Sequence, residues 1–181
     1  MANQIARPDA DDTDGNWTDK DGGSTLYTSI DDTSTGDDAT TFIKVADQSS
    51  NESCVVRLED VDTPASGDAW IKYKALAEDG GMGGIPGLKL ELLQGDSVLD
   101  PAVTTTNNSV DTGSFTSYSY TISDVSGISD WTDLKLKITM LTNTGAFELM
   151  KVTQAYLETQ EAGGGSAAKI PVTLFINGMS T

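Results

Sequence analysis

Apolar and polar residues alternate along most of this chain with a period of two, in short runs. Thr41, Ile43 and Val45 share one face of a first predicted strand; Cys54, Val56 and Leu58 do so in a second, with Val55, Arg57 and Glu59 opposite. Between Ala69 and Ala77 the set Ile71, Tyr73 and Ala75 opposes Lys72 and Lys74, and between Gly87 and Gly95 the set Leu88, Leu90 and Leu92 opposes Lys89 and Glu91. Tyr118, Tyr120 and Ile122 alternate with serine and threonine, and Leu134, Leu136, Ile138 and Met140 alternate with Lys135, Lys137 and Thr139. The last run, Ala146 to Thr159, changes phase near Met150 to Val152, which predicts a bulge or two strands. No apolar stripe of helical period persists anywhere in the body.

Roughly seven or eight antiparallel strands, each with one wet face, are best satisfied by two sheets packed face to face. The predicted fold is all-β, a jelly-roll-like antiparallel β-sandwich with extended N- and C-terminal arms. Residues 1–22 read as an acidic N-terminal arm, extended or loop-like and poor in core residues, carrying Asp9, Asp11, Asp12, Asp14, Asp19 and Asp21. Residues 23–161 form the sandwich body, with Asp79 to Gly87 and Thr104 to Gly113 as its longer loops. Residues 162–181 comprise a Gly-rich linker and a strand-like arm in which Ile170, Val172, Leu174 and Ile176 share a face. Burying those four side chains contributes roughly 6 to 12 kcal/mol gross, and ordering about ten residues costs a similar amount. The arm is therefore fixed only where it also completes a sheet edge. A strand returning in cis, a linker of cloning origin and exchange with a neighbouring subunit all remain open.

Composition narrows the function. The 181 residues include 28 acidic and 11 basic side chains, for a net charge of −17, so the molecule repels nucleic acid and is not expected to read it. Histidine is absent and Cys54 is the single cysteine, which removes imidazole chemistry and any intramolecular disulfide. The context Ser53-Cys54-Val55-Val56 reads as a small buried hydrophobe. Met1 to Pro8 has no apolar signal core and no run approaches the roughly 18 to 20 apolar residues of a membrane span, so a soluble product made without a cleaved signal, and no membrane partner, is expected.

Candidate chemistry is thin. Asp12-Thr13-Asp14-Gly15 resembles the middle of a calcium loop, but Ala10 stands where the first ligand belongs and Asp21 where a glutamate belongs. Asp31-Asp32 and Asp37-Asp38 also offer loop oxygens to a hard cation, but acidic loops in a chain this acidic are expected to be solvated. Some carboxylate pair at glycosidase separation exists among 28 acids by chance, and nothing signals a cleft that raises one pKa. Gly80 to Gly87 lacks the lysine of a phosphate-binding loop. No catalytic residue, metal ligand or cofactor is expected. The aromatics Trp17, Tyr27, Trp70, Tyr73, Tyr118, Tyr120, Trp131 and Tyr156 divide between core filling and a sugar-stacking platform; Trp17 and Trp131, in loop-like contexts, are the two expected to make surface contacts.

The order Asp14-Gly15-Asn16-Trp17-Thr18, then Gly22-Gly23-Ser24-Thr25-Leu26-Tyr27-Thr28-Ser29-Ile30-Asp31-Asp32, with Ile128-Ser129-Asp130-Trp131-Thr132-Asp133-Leu134-Lys135-Leu136-Lys137-Ile138 and Ala155-Tyr156-Leu157-Glu158 late in the body, resembles a β-sandwich domain of tailed-phage and prophage structural proteins. The resemblance implies a virion component, a capsid decoration or cement protein on the outer surface of the head, whose partner is the major capsid protein. A homotrimer with exchanged arms is the assembly expected on that basis. The contact residues expected are Ile5, Arg7, Pro8, Trp17 and Trp131 together with Ile170, Val172, Leu174, Phe175 and Ile176. Two other readings stand beside it: a carbohydrate-binding or adhesive β-sandwich module of a phage spike or bacterial surface protein, and a tail or head-to-tail joining component.

Overall fold

The computed structural model describes residues 3–31, 40–46, 51–64, 68–78, 86–99, 104–107, 110–122, 124–141 and 149–161. Expectations for the C-terminal arm, and for most of the glycine-rich loop after Glu78, fall outside them. Twelve strands are described: β1 (Asn3–Ala6), β2 (Pro8–Thr13), β3 (Thr18–Asp19), β4 (Ile43–Ala46), β5 (Glu52–Leu58), β6 (Ala69–Glu78), β7 (Gly87–Gln94), β8 (Ser97–Val98), β9 (Thr104–Asn107), β10 (Thr116–Ile122), β11 (Leu134–Leu141) and β12 (Leu149–Gln160). A single turn of 3-10 helix, Tyr27–Ser29, accompanies them.

The strands form two antiparallel sheets. Sheet I runs β10-β6-β12-β4-β3, with β1 also on β12; sheet II runs β2-β5-β11-β7-β8, with β9 also on β7. From β4 to β7 the chain changes sheet at every strand, and β10, β11 and β12 alternate again, so strands adjacent in sequence seldom pair. The chain is a jelly-roll-like β-sandwich.

The alternation places the core as expected. Cys54, Val56 and Leu58 of β5, Leu88, Leu90 and Leu92 of β7, and Leu134, Leu136, Ile138 and Met140 of β11 point inward from sheet II; Ile43 and Val45 of β4 and Ile71, Tyr73 and Ala75 of β6 do so from sheet I. Burial pushes the Cys54 thiol pKa up, and the negative charge of Asp11 adds to the effect. The phase change in the last strand is a bulge: the register of β12 against β6 shifts between Val152 and Gln154. The intervening Thr153 is fully buried and its hydroxyl donates to the Thr41 carbonyl at 2.6 Å, so the extra residue is satisfied where the ladder skips it.

Three expectations fail. The N-terminal segment is not an arm outside the body, because β1 joins β12 in sheet I and β2 joins β5 in sheet II, with Ala6 and Pro8 buried on either side of Arg7. Its acids are structural: the Asp11 carboxylate accepts the Leu26 and Tyr27 amides at 2.8 Å each and holds the 3-10 turn, whose flanking Leu26 and Ile30 plug the core. The segment Thr104–Asn107, expected as loop, is a strand on β7.

Trp17 and Trp131 are likewise core residues, exposed to only 1% and 5%, rather than surface contacts. Trp17 follows a turn closed by its own amide on the Asp14 carbonyl at 2.9 Å, and its indole N–H donates to the Glu52 carbonyl at 3.2 Å. Gly15 in that turn has φ +55°, and a Cβ there would lie 2.2 Å from the Ser53 carbonyl oxygen, so glycine is required on both counts. The Asp-Gly-Asn-Trp sequence is thus a turn-and-plug between β2, which pairs with β5 in sheet II, and β3, which pairs with β4 in sheet I.

Candidate functional site

The two outer faces differ in chemistry. No strand of sheet II contains an aromatic residue, and its outward charges are paired internally. Lys135 bridges Asp12 at 3.0 Å and Asp96 at 2.9 Å, and Glu91 meets Lys89 at 2.7 Å and Lys137 at 3.8 Å. This face is a closed ion-pair network.

Sheet I carries Trp70 and Tyr156 on its outward phase, and the registers arrange their neighbours in rows. Thr121, Trp70, Glu158 and Ile5 lie abreast across β10, β6, β12 and β1; Ser119, Lys72 and Tyr156 form the next row, and Ser117, Lys74 and Gln154 the one after. Trp70 and Tyr156 are therefore diagonal neighbours on adjacent strands, about 7 to 8 Å apart at the backbone, and both are half-buried. Between Trp70 and Ile5 sits Glu158, only 9% exposed. Its two oxygens are held by Lys72 Nζ at 2.7 Å and by Asn3 Nδ2 at 2.7 Å. A carboxyl group sunk between two apolar side chains needs such hydrogen-bond partners in place of water.

The other end of the face is roofed. Phe42, before β4, and Phe115, before β10, approach to 6.0 Å between ring centroids although β12 and β6 lie between their strands. Three strand spacings are about 14 Å, so the rings lean toward each other over the sheet. Lys151 sits beneath, 5.3 Å from the Phe42 centroid, and pairs with Glu78. The outer face of sheet I therefore carries Trp70 and Tyr156 in its first two rows and the Phe42–Phe115 pair with Lys151 beyond them. On the inner side, Tyr73 stacks on Tyr118 at 5.1 Å, and the Tyr118 hydroxyl accepts the Asp111 amide at 2.8 Å, which stiffens the floor below.

Of the described residues expected to make contacts, only Ile5 lies on this face, where it is 37% exposed. Arg7 is half-buried at the crossing between sheets, where its amide donates to Glu59 Oε2 at 3.4 Å; Pro8 is buried; Trp17 and Trp131 are core. Ile170, Val172, Leu174, Phe175 and Ile176 lie outside the described residues. The sequence reading missed Glu158, Lys72 and Asn3 as a unit, because their meeting depends on the register of β1 and β6 against β12, which one strand's alternation does not reveal. Among the described residues no three acidic or cysteine side chains converge as a metal site.

No protein-family model matches the sequence, and no curated protein is similar to it. The fold is similar to those of solved structures. One is the arabinose-bound MgGH51 α-L-arabinofuranosidase, at 11% identity over 82% of this chain and 23% of that chain, with TM-score 0.50. Another is the C-terminal CBM6 of the marine laminarinase LamC from Zobellia galactanivorans, at 12% identity over 88% of this chain and 100% of that chain, with TM-score 0.47. A third is the xylan-binding module CBM15, at 12% identity over 89% and 100% of the two chains, with TM-score 0.47. These likenesses concern the fold, and this chain matches less than a quarter of the arabinofuranosidase.

Proposed function

We propose that this protein is a non-catalytic carbohydrate-binding module of an adhesive or surface-attached assembly, and that it takes its ligand on the outer face of sheet I. The observation that carries this reading is the diagonal Trp70–Tyr156 pair beside the fixed Glu158–Lys72–Asn3 unit. Aromatic faces supply apolar area for the C–H surface of a sugar ring, and a carboxylate, an ammonium and an amide held in place supply donors and acceptors for its hydroxyls. Rigid backbone strands hold both sets, so little order has to be imposed on binding. The opposite face, without aromatics and with its charges already paired, offers neither.

The test is affinity electrophoresis through gels containing a panel of polysaccharides, comparing the full chain with Trp70→Ala and Tyr156→Ala. Retardation by at least one polysaccharide, lost in both variants at unchanged thermal midpoint, is expected. Absence of retardation across the panel, or undiminished binding by both variants, overturns the reading. Co-sedimentation with phage heads in the absence of any glycan binding would return the function to capsid decoration.

A further inference from the structure

Sheet I ends on one side in an edge without the usual guards. Its outermost strand there, β10, reads Thr116-Ser117-Tyr118-Ser119-Tyr120-Thr121-Ile122, with no charge and no proline, and all seven residues pair with β6 without a slip. Among the described residues no strand pairs with its other side. Edge strands are ordinarily blunted by shortness, charge, proline or a bulge, because a row of unpaired N–H and C=O groups is a template for another strand. The other edges of this sandwich are guarded in those ways. Strand β2 carries Pro8 and three aspartates and slips register twice, and β3, β8 and β9 have only two, two and four residues. Beside β1, the Gln4 side chain already accepts the Asp62 amide at 2.8 Å and donates to the Asp62 carbonyl at 3.1 Å. On the inward phase of β10, Tyr118 and Tyr120 pack against the core yet are only half-buried.

We infer that the open edge of β10 is the docking site of the chain's own segment 170–176, which adds to sheet I as an antiparallel strand in cis. Strands β12 and β10 run in the same direction and end abreast, since Thr159 and Ile122 both lie opposite Ala69. A segment that follows Glu161 and turns back therefore runs antiparallel to β10, whereas beside β1 it would run parallel, the less stable pairing. The distance fits. A strand beyond β10 lies three strand spacings from β12, about 14 Å. The seven residues that separate Glu161 from Lys169, Ala-Gly-Gly-Gly-Ser-Ala-Ala, have for their composition an average span of about 13 to 16 Å. The lengths match as well, since Ile170 to Ile176 is seven residues and so is β10. With Ile170, Val172, Leu174 and Ile176 on the inward phase, the segment continues the apolar layer past Tyr118 and Tyr120. Main-chain hydrogen bonds to β10 then supply what apolar burial alone does not. Pro171 falls at the start of the stretch, where a missing N–H costs least. This inference is independent of the carbohydrate-binding reading.

Two NMR measurements on the full chain test this. In amide hydrogen exchange, alternate amides between Val172 and Ile176, and the amides of β10 that point away from β6, are expected to be protected. Leu174→Pro, a substitution outside every described strand, is expected to speed exchange at both sets at least about tenfold while β6 and β12 keep their protection. Rapid exchange of both sets in the parent, or protection that Leu174→Pro leaves unchanged, overturns the inference. The second measurement places a nitroxide on Asn177→Cys, the buried Cys54 staying unlabelled. Line broadening centred on the amides of Thr116 and Ser117, at the far end of β10, is expected; broadening centred on β1, β2 or β9 overturns the placement. Mixing isotope-labelled chain that lacks the nitroxide with unlabelled chain that bears it is expected to leave β10 sharp. Broadening of β10 in that mixture shows the segment exchanged between copies and overturns docking in cis.

Discussion

Glu158 and Lys72 meet at 2.7 Å across the middle of sheet I, and Asn3 closes the same carboxylate from the other side. A strand near the start of the chain and one near the end of the body thus meet at one charge. Replacing Glu158 by alanine strands a partly buried ammonium and an amide, and is expected to cost about 2 to 3 kcal/mol. Urea unfolding followed by tryptophan fluorescence checks it, and Glu158→Gln, which keeps an acceptor for Asn3, is expected to lose less.

The turn that seats Trp17 tolerates no side chain at Gly15. Gly15→Ala combines a left-handed backbone, costing an L-residue about 1 to 2 kcal/mol, with a Cβ driven against the Ser53 carbonyl, and overpacking adds about 1 to 3 kcal/mol. The variant is expected to unfold at markedly lower denaturant, with an unchanged slope if the fold is kept. A stability equal to that of the parent would contradict the described turn.

Asp11 accepts two backbone amides that have no other described partner, those of Leu26 and Tyr27. Asp11→Ala leaves both donors beside buried Leu26 and is expected to cost about 2 to 4 kcal/mol. Hydrogen exchange by NMR gives a sharper reading than global stability: the Leu26 and Tyr27 amides are expected to lose their protection first.

How far the sequence alone reached is clearest where a rule of period two was sufficient. Leu88, Leu90 and Leu92, or Leu134, Leu136 and Ile138, bury as their spacing requires, and the slip at Thr153 was foreseen from a change of phase. The N-terminal strands were opaque for a physical reason. Their inward residues are the small Ala6 and Pro8, their register slips at Pro8/Ala10 and again at Asp11/Thr13, and their acids look like solvated tail although Asp11 is consumed by a turn. Trp17 and Trp131 sit in polar, loop-like text and are drawn into the core by contacts remote in sequence. The candidate face is half visible in the sequence: Trp70 and Tyr156 stand among its aromatics, but their sharing of one outward face depends on the register.

The Asp130 carboxylate accepts both the amide and the hydroxyl of Thr132, at 2.9 and 2.8 Å, and these bonds hold its pKa below the ordinary value of 3.8, the amide more than the hydroxyl. A carboxyl depressed in the folded state stabilises the protein above its unfolded pKa, and that contribution fades as the pH falls through the lower folded value. Asp130→Ala is therefore expected to lower the thermal midpoint at pH 7, with the difference from the parent closing as the pH falls below 3.8. Differential scanning calorimetry across that range is the check.

Cys54 is fully buried and its thiol pKa is pushed up, chiefly by desolvation. Because the thiolate is the reactive form, the folded protein is expected to resist maleimide labelling at pH 8 and to label rapidly in denaturant. Mass spectrometry after timed exposure distinguishes the two, and prompt labelling of the native chain would contradict the burial.

The strand at the centre of sheet I, β12, is also the last one described, and it carries β6, β4 and β1. During synthesis β1, β4 and β6 therefore leave the ribosome before the strand they share, and sheet I has no spine until Gln160 has emerged. Any product ending before β12 leaves β1, β4 and β6 as open edges that pair with whatever strand is near.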